Sequence, residues 1–139
     1  MGATMQGLPI LIRLARKRAD EQRAILAGAE RQTLLAAEML AGHAAHLQRE
    51  TERARGQAEE MALWADWSRV AAGRQRQLQQ ALSMLQAQEA QIREALREDF
   101  AEIKRLEIAR DTAASAARRQ AARRAERAAE DAELRRAAR

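Results

Sequence analysis

The chain has 139 residues, 32% of them charged and 2% aromatic, with one proline and no cysteine. That leaves too few large apolar side chains for a sizeable globular core and places an Ala-, Arg-, Glu- and Leu-rich chain in the long-helix class. Without cysteine there are no disulfides, no thiolate metal site and no catalytic thiol, which fits a reducing compartment. The net charge of +5 invites a nucleic-acid or anionic-membrane reading, but acidic residues are interleaved nearly everywhere and the excess sits after Ala117.

Residues 1–7 read as a frayed start. A short apolar patch, Leu8 to Leu14, is followed by Arg16, Lys17 and Arg18, the reverse of the order in a secretory signal. Gln6 stands where a myristoylation motif needs Ser or Thr. No run approaches transmembrane length. The expectation is a soluble, cytoplasmic protein.

Pro9 suits the first turn of a helix, where its missing N–H costs nothing. From there a first helix is predicted over about 8–58. Its seam is Ile12, Ala19, Leu26, Thr33, Leu40, Leu47, Ala54 and Met61, with a flanking row of Leu8, Ala15, Gln22, Ala29, Ala36 and His43. Residues spaced by one heptad share a helix face that seeks another helix. Leu11, Leu14, Ile25, Leu35 and Met39 lie beside that seam, either as exposed aliphatics of a broad face or as a second contact surface. Gly28, Gly42 and Gly56 recur along one stripe, which reads as compositional bias or, alternatively, as a softened stripe that bends against a partner.

The heptad register of the first helix lapses after Gly56, and the turn is predicted at about 59–66, with Asp66 capping the next helix. Trp64 and Trp67 lie there, two of three aromatic residues. They either plug the end of a helix pair or anchor a partner. Folding back at this point would set Ile12 against Ala114, Leu26 against Phe100 and Leu40 against Gln86.

The second helix is predicted over about 67–134. Leu78, Leu82, Leu85, Glu89, Ile92, Leu96, Asp99, Ile103 and Leu106 alternate steps of four and three, an apolar seam broken by two carboxylates. Arg110, Ala113 and Ala117 continue it weakly. The carboxylates and Arg110 either fix register and orientation or loosen the pair. A basic end, 118–139, overshoots the first helix. The predicted class is all-α, a long antiparallel two-helix coiled-coil hairpin forming a single domain.

Little in the sequence carries chemistry. His43 and His46 lie on one helix face, where two solvated or seam histidines outweigh a metal pair. Glu94, Glu98 and Glu102 form a stripe that Arg97 and Arg105 can partly neutralise. Ser83 and Ser115 have no nearby base, and no glycine loop for phosphate exists. The expectation is no enzyme: no catalytic residue, no cofactor and no metal.

The layout resembles a known family, the flagellar export protein FliJ with its type III secretion ATPase central-stalk relatives. The likeness covers essentially the whole chain. It rests on Leu11 and Leu14, a Trp-x-x-aromatic step at Trp64 and Trp67, an Ile-Lys-Arg-Leu-Glu step from Ile103 to Glu107, and an Arg-rich end. It implies a non-enzymatic stalk or adaptor of the flagellar export apparatus, cytoplasmic and peripheral at the inner membrane. Its implied partners are the export ATPase hexamer, the cytoplasmic part of the export gate and export chaperones. A gate-facing surface would comprise Trp64, Trp67, Val70, Arg74, Gln77 and Ala81, although Arg74 and Gln77 stand where apolar or aromatic residues are expected. The ATPase side would use Leu11, Leu14, Arg118, Arg119, Arg123 and Arg124. The alternatives are the stalk of a non-flagellar secretion system, a basic coiled coil that binds nucleic acid or a membrane surface, and a generic homodimer. A lone chain is expected as a monomer or weak dimer.

Overall fold

Pro9 occupies the first turn of a helix that the sequence carries without a break for 47 residues, α1 (Leu8–Ala54). A computed structural model describes residues 6–139; of the expected frayed start at 1–7, residues 1–5 lie outside them and 6–7 form a turn leading into the helix. A second helix of 80 residues follows, α2 (Ala58–Ala137), and no strand occurs among the described residues. Glu59 and Glu60 in the first turn of α2 and Arg135 and Arg136 in its last turn complement the helix dipole.

The turn is residues 55–57, not 59–66, and α2 begins nine residues before the expected position. Gly56 adopts φ +93°, a left-handed conformation that L side chains rarely take, and it ends α1 as a C-terminal glycine does. The Gln57 N–H donates to the Ala54 carbonyl (3.4 Å), and the Met61 N–H donates to the Gln57 carbonyl (3.0 Å). The chain therefore leaves one helix and enters the next within three residues. Asp66, expected as a cap, lies exposed inside α2.

Contacts gather into two units: the start of α1 to Asp20 with Arg97–Arg139, and Glu21–Leu96. In both, α1 and α2 pack together. In the first, Leu8, Ile12 and Ala19 are buried, and Ile103, Leu106, Arg110 and Ala113 are half-buried. Arg16 Nη2 donates to Glu107 Oε1 across the helices at 3.0 Å. In the second, Ala54, Ala71 and Leu96 are buried, with Leu26, Leu40, Leu47, Leu78, Leu82, Leu85 and Ile92 half-buried around them. Thr51 meets Trp64, His43 meets Ala71, and Glu30 meets Arg93.

The inward rows follow the heptad spacing. Ile12 to Ala54 faces inward at every seventh position, as does the row from Leu8 to His43. Met61, expected to extend the seam, is 40% exposed because it falls beyond the turn. The α2 row starts earlier than its leucines suggest: Trp64, Ser68, Ala71 and Gln75 precede Leu78 in the same four-three alternation. It runs to Ala113, while Ala117 is exposed. Gln86 and Phe100, expected to face α1, are exposed; their neighbours Leu85 and Asp99 turn inward instead.

Burial is correspondingly thin. Accessible surface totals 11012 Å², against about 7,200 Å² for a compact protein of this mass. No described side chain larger than alanine, Ile12 excepted, falls below 5% exposure. The helices hold each other through a ribbon of contacts, not a core.

Candidate functional site

The best-defined side-chain cluster sits beside the turn. α1 brings His43, His46, Glu50, Thr51 and Arg53 there, and the opening turns of α2 bring Glu60, Leu63, Trp64 and Trp67. Trp64 Nε1 donates to Thr51 Oγ1 at 3.1 Å, and that hydroxyl donates in turn to the Leu47 carbonyl at 2.8 Å. The rings of His46 and Trp67 pack edge to face, with centroids 5.8 Å apart and planes at 82°, the geometry that ring quadrupoles favour. His43 Nε2 lies 2.9 Å from the Ala71 carbonyl oxygen. A carbonyl can only accept, so Nε2 carries the proton.

A shallow cavity of about 270 Å³ lies against this cluster, lined by Glu50, Arg53, Glu60, Leu63, Trp64 and Trp67. Its lining combines two carboxylates, one guanidinium, both indoles and Leu63, which is 74% exposed. It has no nucleophile with an adjacent base.

The residues singled out as a gate-facing set divide. Trp64 belongs to the inward row and Trp67 is half-buried, each with a partner on α1. Val70 (74% exposed), Arg74, Gln77 and Ala81 follow at steps of four, three and four along one exposed strip of α2. The tryptophans thus secure the helix pair, and the strip beyond them is what is offered to solvent. Sequence singled out His46 only as half of a histidine pair, and did not assign it, Glu50, Arg53 or Leu63 to the tryptophans. Spacing alone does not bring them to the tryptophans until the turn is placed at Gly56.

Of the residues expected on the ATPase side, Leu14 is 57% exposed and Leu11 39%. Arg118, Arg119, Arg123 and Arg124 are exposed on a stretch of α2 in which every residue from Ala117 onward is exposed. A basic groove of about 450 Å³ opens at the start of α1, lined by Ile12, Arg13, Arg16, Lys17, Asp20 and Arg110. Ile25, Leu34, Leu35 and Met39 are each more than half exposed.

The two histidines are occupied with Ala71 and Trp67. Among the described residues, no group of three His, Cys, Asp or Glu is placed to hold a metal ion. In the acidic stripe, Glu102 accepts from Arg105 at 2.8 Å, and Glu89 on the inward row accepts from Arg93 at 2.7 Å. Asp99 differs: its Oδ2 is buried and has no hydrogen-bond partner among the described residues. No described helix is long and apolar enough to cross a membrane.

These features define an all-helical protein of two long packed helices whose side chains are mostly turned outward. No protein-family model, curated protein or solved structure matches the chain.

Proposed function

We propose that the chain is an antiparallel two-helix coiled-coil hairpin that acts without enzymatic chemistry as a stalk or adaptor of a flagellar type III protein export apparatus. In this reading it links the export ATPase hexamer to the cytoplasmic part of the export gate and engages export chaperones. Support for the hairpin comes from the order of contacts: within Glu21–Leu96, later positions of α2 meet earlier positions of α1. The four-three row from Trp64 to Ala113 supports the coiled coil. The resemblance of the sequence to the FliJ family supports the export assignment.

The observation that carries an adaptor role is the large aliphatic side chains left outside the inward rows. They are Leu11 and Leu14 in one unit and Ile25, Leu35 and Met39 in the other. Helices that keep such residues in water offer them to partners. A stalk works by contacting the subunits of a ring unequally, which biases their conformational equilibria with no bond broken by the stalk itself.

The test is reconstitution with a purified export ATPase. The chain should co-elute with the hexamer and raise its hydrolysis rate. Leu14→Glu with Arg118→Ala and Arg124→Ala should weaken both effects at unchanged helicity. Failure of the unaltered chain to bind or stimulate sinks the reading. A non-flagellar secretion ATPase, run beside it, distinguishes the two export systems.

A further inference from the structure

The positive charge is not spread evenly. Glu21–Leu96 carries nine basic and ten acidic side chains, whereas the unit made of residues up to Asp20 with Arg97–Arg139 carries sixteen basic and ten acidic. Within that unit, 97–116 is close to balanced, with four basic and five acidic side chains. The excess sits in two places. From Ala117 onward eight arginines stand against four acidic side chains, and in residues 8–20 four cations stand against Asp20 alone.

The start of α1 is the sharper of the two, because its cations share a helix face with large aliphatic side chains. Ile12 is buried, so at about 100° per residue Ile10, Leu14 and Lys17 point away from α2, with Leu11 and Arg18 on one flank and Arg13 on the other. Ile10 is 56% exposed, Leu14 57% and Leu11 39%. Arg13, Lys17 and Arg18 are exposed, and none pairs with a carboxylate among the described residues. Arg16 is held by Glu107, and Asp20 has a partner of its own. The first turn of α1 contains no acidic residue, so the positive end of its dipole is uncompensated there. The first carboxylate on this outward face is Glu21, seven residues after Leu14.

Such a face calls for an anionic partner that also takes up aliphatic groups. Nucleic acid would hold the cations but leave three aliphatic side chains against phosphates. Residues 8–20 also contain no aromatic or amide side chain to stack on or read a base. An acidic protein would have to offer an apolar cleft with carboxylates on both flanks. An anionic lipid surface offers both environments at every point. Aliphatic side chains enter the boundary of headgroups and acyl chains, while arginine and lysine stems lie along it and reach the phosphates.

We propose that the outward face of α1 from Ile10 to Arg18 docks on an anionic phospholipid surface. Ile10, Leu11 and Leu14 insert, and Arg13, Lys17 and Arg18 take headgroup phosphates. The arginines after Ala117 add attraction through the surface potential. This goes beyond the adaptor reading and is tested with lipid alone, with no ATPase present. Leu11 and Leu14 serve lipid or a protein partner, not both at one moment.

The test is flotation of the full chain with vesicles of phosphatidylglycerol and phosphatidylcholine in equal parts, and with vesicles of phosphatidylcholine alone. The chain should float with the first and not the second, and less as salt is raised. Arg13→Gln with Lys17→Gln and Arg18→Gln should weaken binding about a hundredfold. Ile10→Gln with Leu14→Gln should weaken it about tenfold. Both variants should keep their helicity by circular dichroism, since the altered side chains are exposed. Arg13→Lys with Arg18→Lys should bind as the unaltered chain does, because a lipid surface responds to charge. With no cysteine in the chain, a single Leu11→Cys can carry an environment-sensitive dye, whose emission should move to shorter wavelength on the anionic vesicles. Absence of flotation overturns the proposal. So does flotation that the Ile10 and Leu14 changes leave intact, or dye emission that stays put, since the face would then lie outside the lipid. Binding to duplex DNA or polyglutamate as tight as to the vesicles, and untouched by the Ile10 and Leu14 changes, assigns the cations to a polyanion and overturns it too.

Discussion

His43 reaches across from α1 to donate from Nε2 to the main-chain carbonyl of Ala71, at 2.9 Å, two residues before Gly73 in α2. Both residues lie on inward rows, so the bond ties the helices together at a place where α2 offers only a methyl group. Replacing His43 by Ala removes the bond and the ring packing. The expected loss is about 1–2 kcal/mol, seen as a lower thermal midpoint by circular dichroism. A midpoint within error of the unaltered chain would show that the bond does not form in solution.

Asp99 has the opposite effect. It occupies an inward position between Leu96 and Ile103, with its Oδ2 buried and without a hydrogen-bond partner among the described residues. A buried acceptor without a donor pays its desolvation and recovers nothing. Asp99→Leu should therefore stabilise the chain by about 1–3 kcal/mol, measured by urea unfolding. A destabilised variant would mean that the carboxylate has a partner in solution.

Two glycines should respond with opposite signs to the same substitution. Gly56 holds φ +93°, so Gly56→Ala is expected to cost about 1 kcal/mol or more. At Gly42, inside α1, an added Cβ would meet nothing within 4 Å, and Gly42→Ala should add about 0.5–1 kcal/mol. Equal effects at both sites would contradict the placement of the turn.

The cross-helix pair Arg16–Glu107, at 3.0 Å, looks like a strong contact but leaves the Arg16 side chain 58% exposed. Water screens such pairs. A double-mutant cycle with Arg16→Ala and Glu107→Ala should give a coupling of about 0–0.5 kcal/mol. A value above about 1.5 kcal/mol would require a geometry tighter than an exposed pair allows.

The seams were legible because heptad spacing is a direct projection of helix geometry. Every α1 position from Ile12 to Ala54 and every α2 position from Leu78 to Leu106 on those rows faces inward. The turn was not legible from hydrophobic pattern. The α2 row opens with Trp64, Ser68, Ala71 and Gln75, only one of which is a large apolar residue, so the register looks absent where it is already running. Arg55-Gly56 carried the missing signal, a glycine able to take positive φ at a helix end. Read as one member of a recurring glycine stripe, Gly56 lost that meaning. The cluster around the tryptophans depends on this boundary, and His46, Glu50, Arg53 and Leu63 joined it only with the turn in place.

The chain contains two tryptophans, and both stand within the first turns after Gly56, each touching α1. Indole emission is therefore an intrinsic optical gauge of whether those few turns are closed. Lifting α2 away from Thr51 and His46 would bring water to both rings and move their fluorescence to longer wavelength, whereas events confined to residues 97–139 would leave it unchanged.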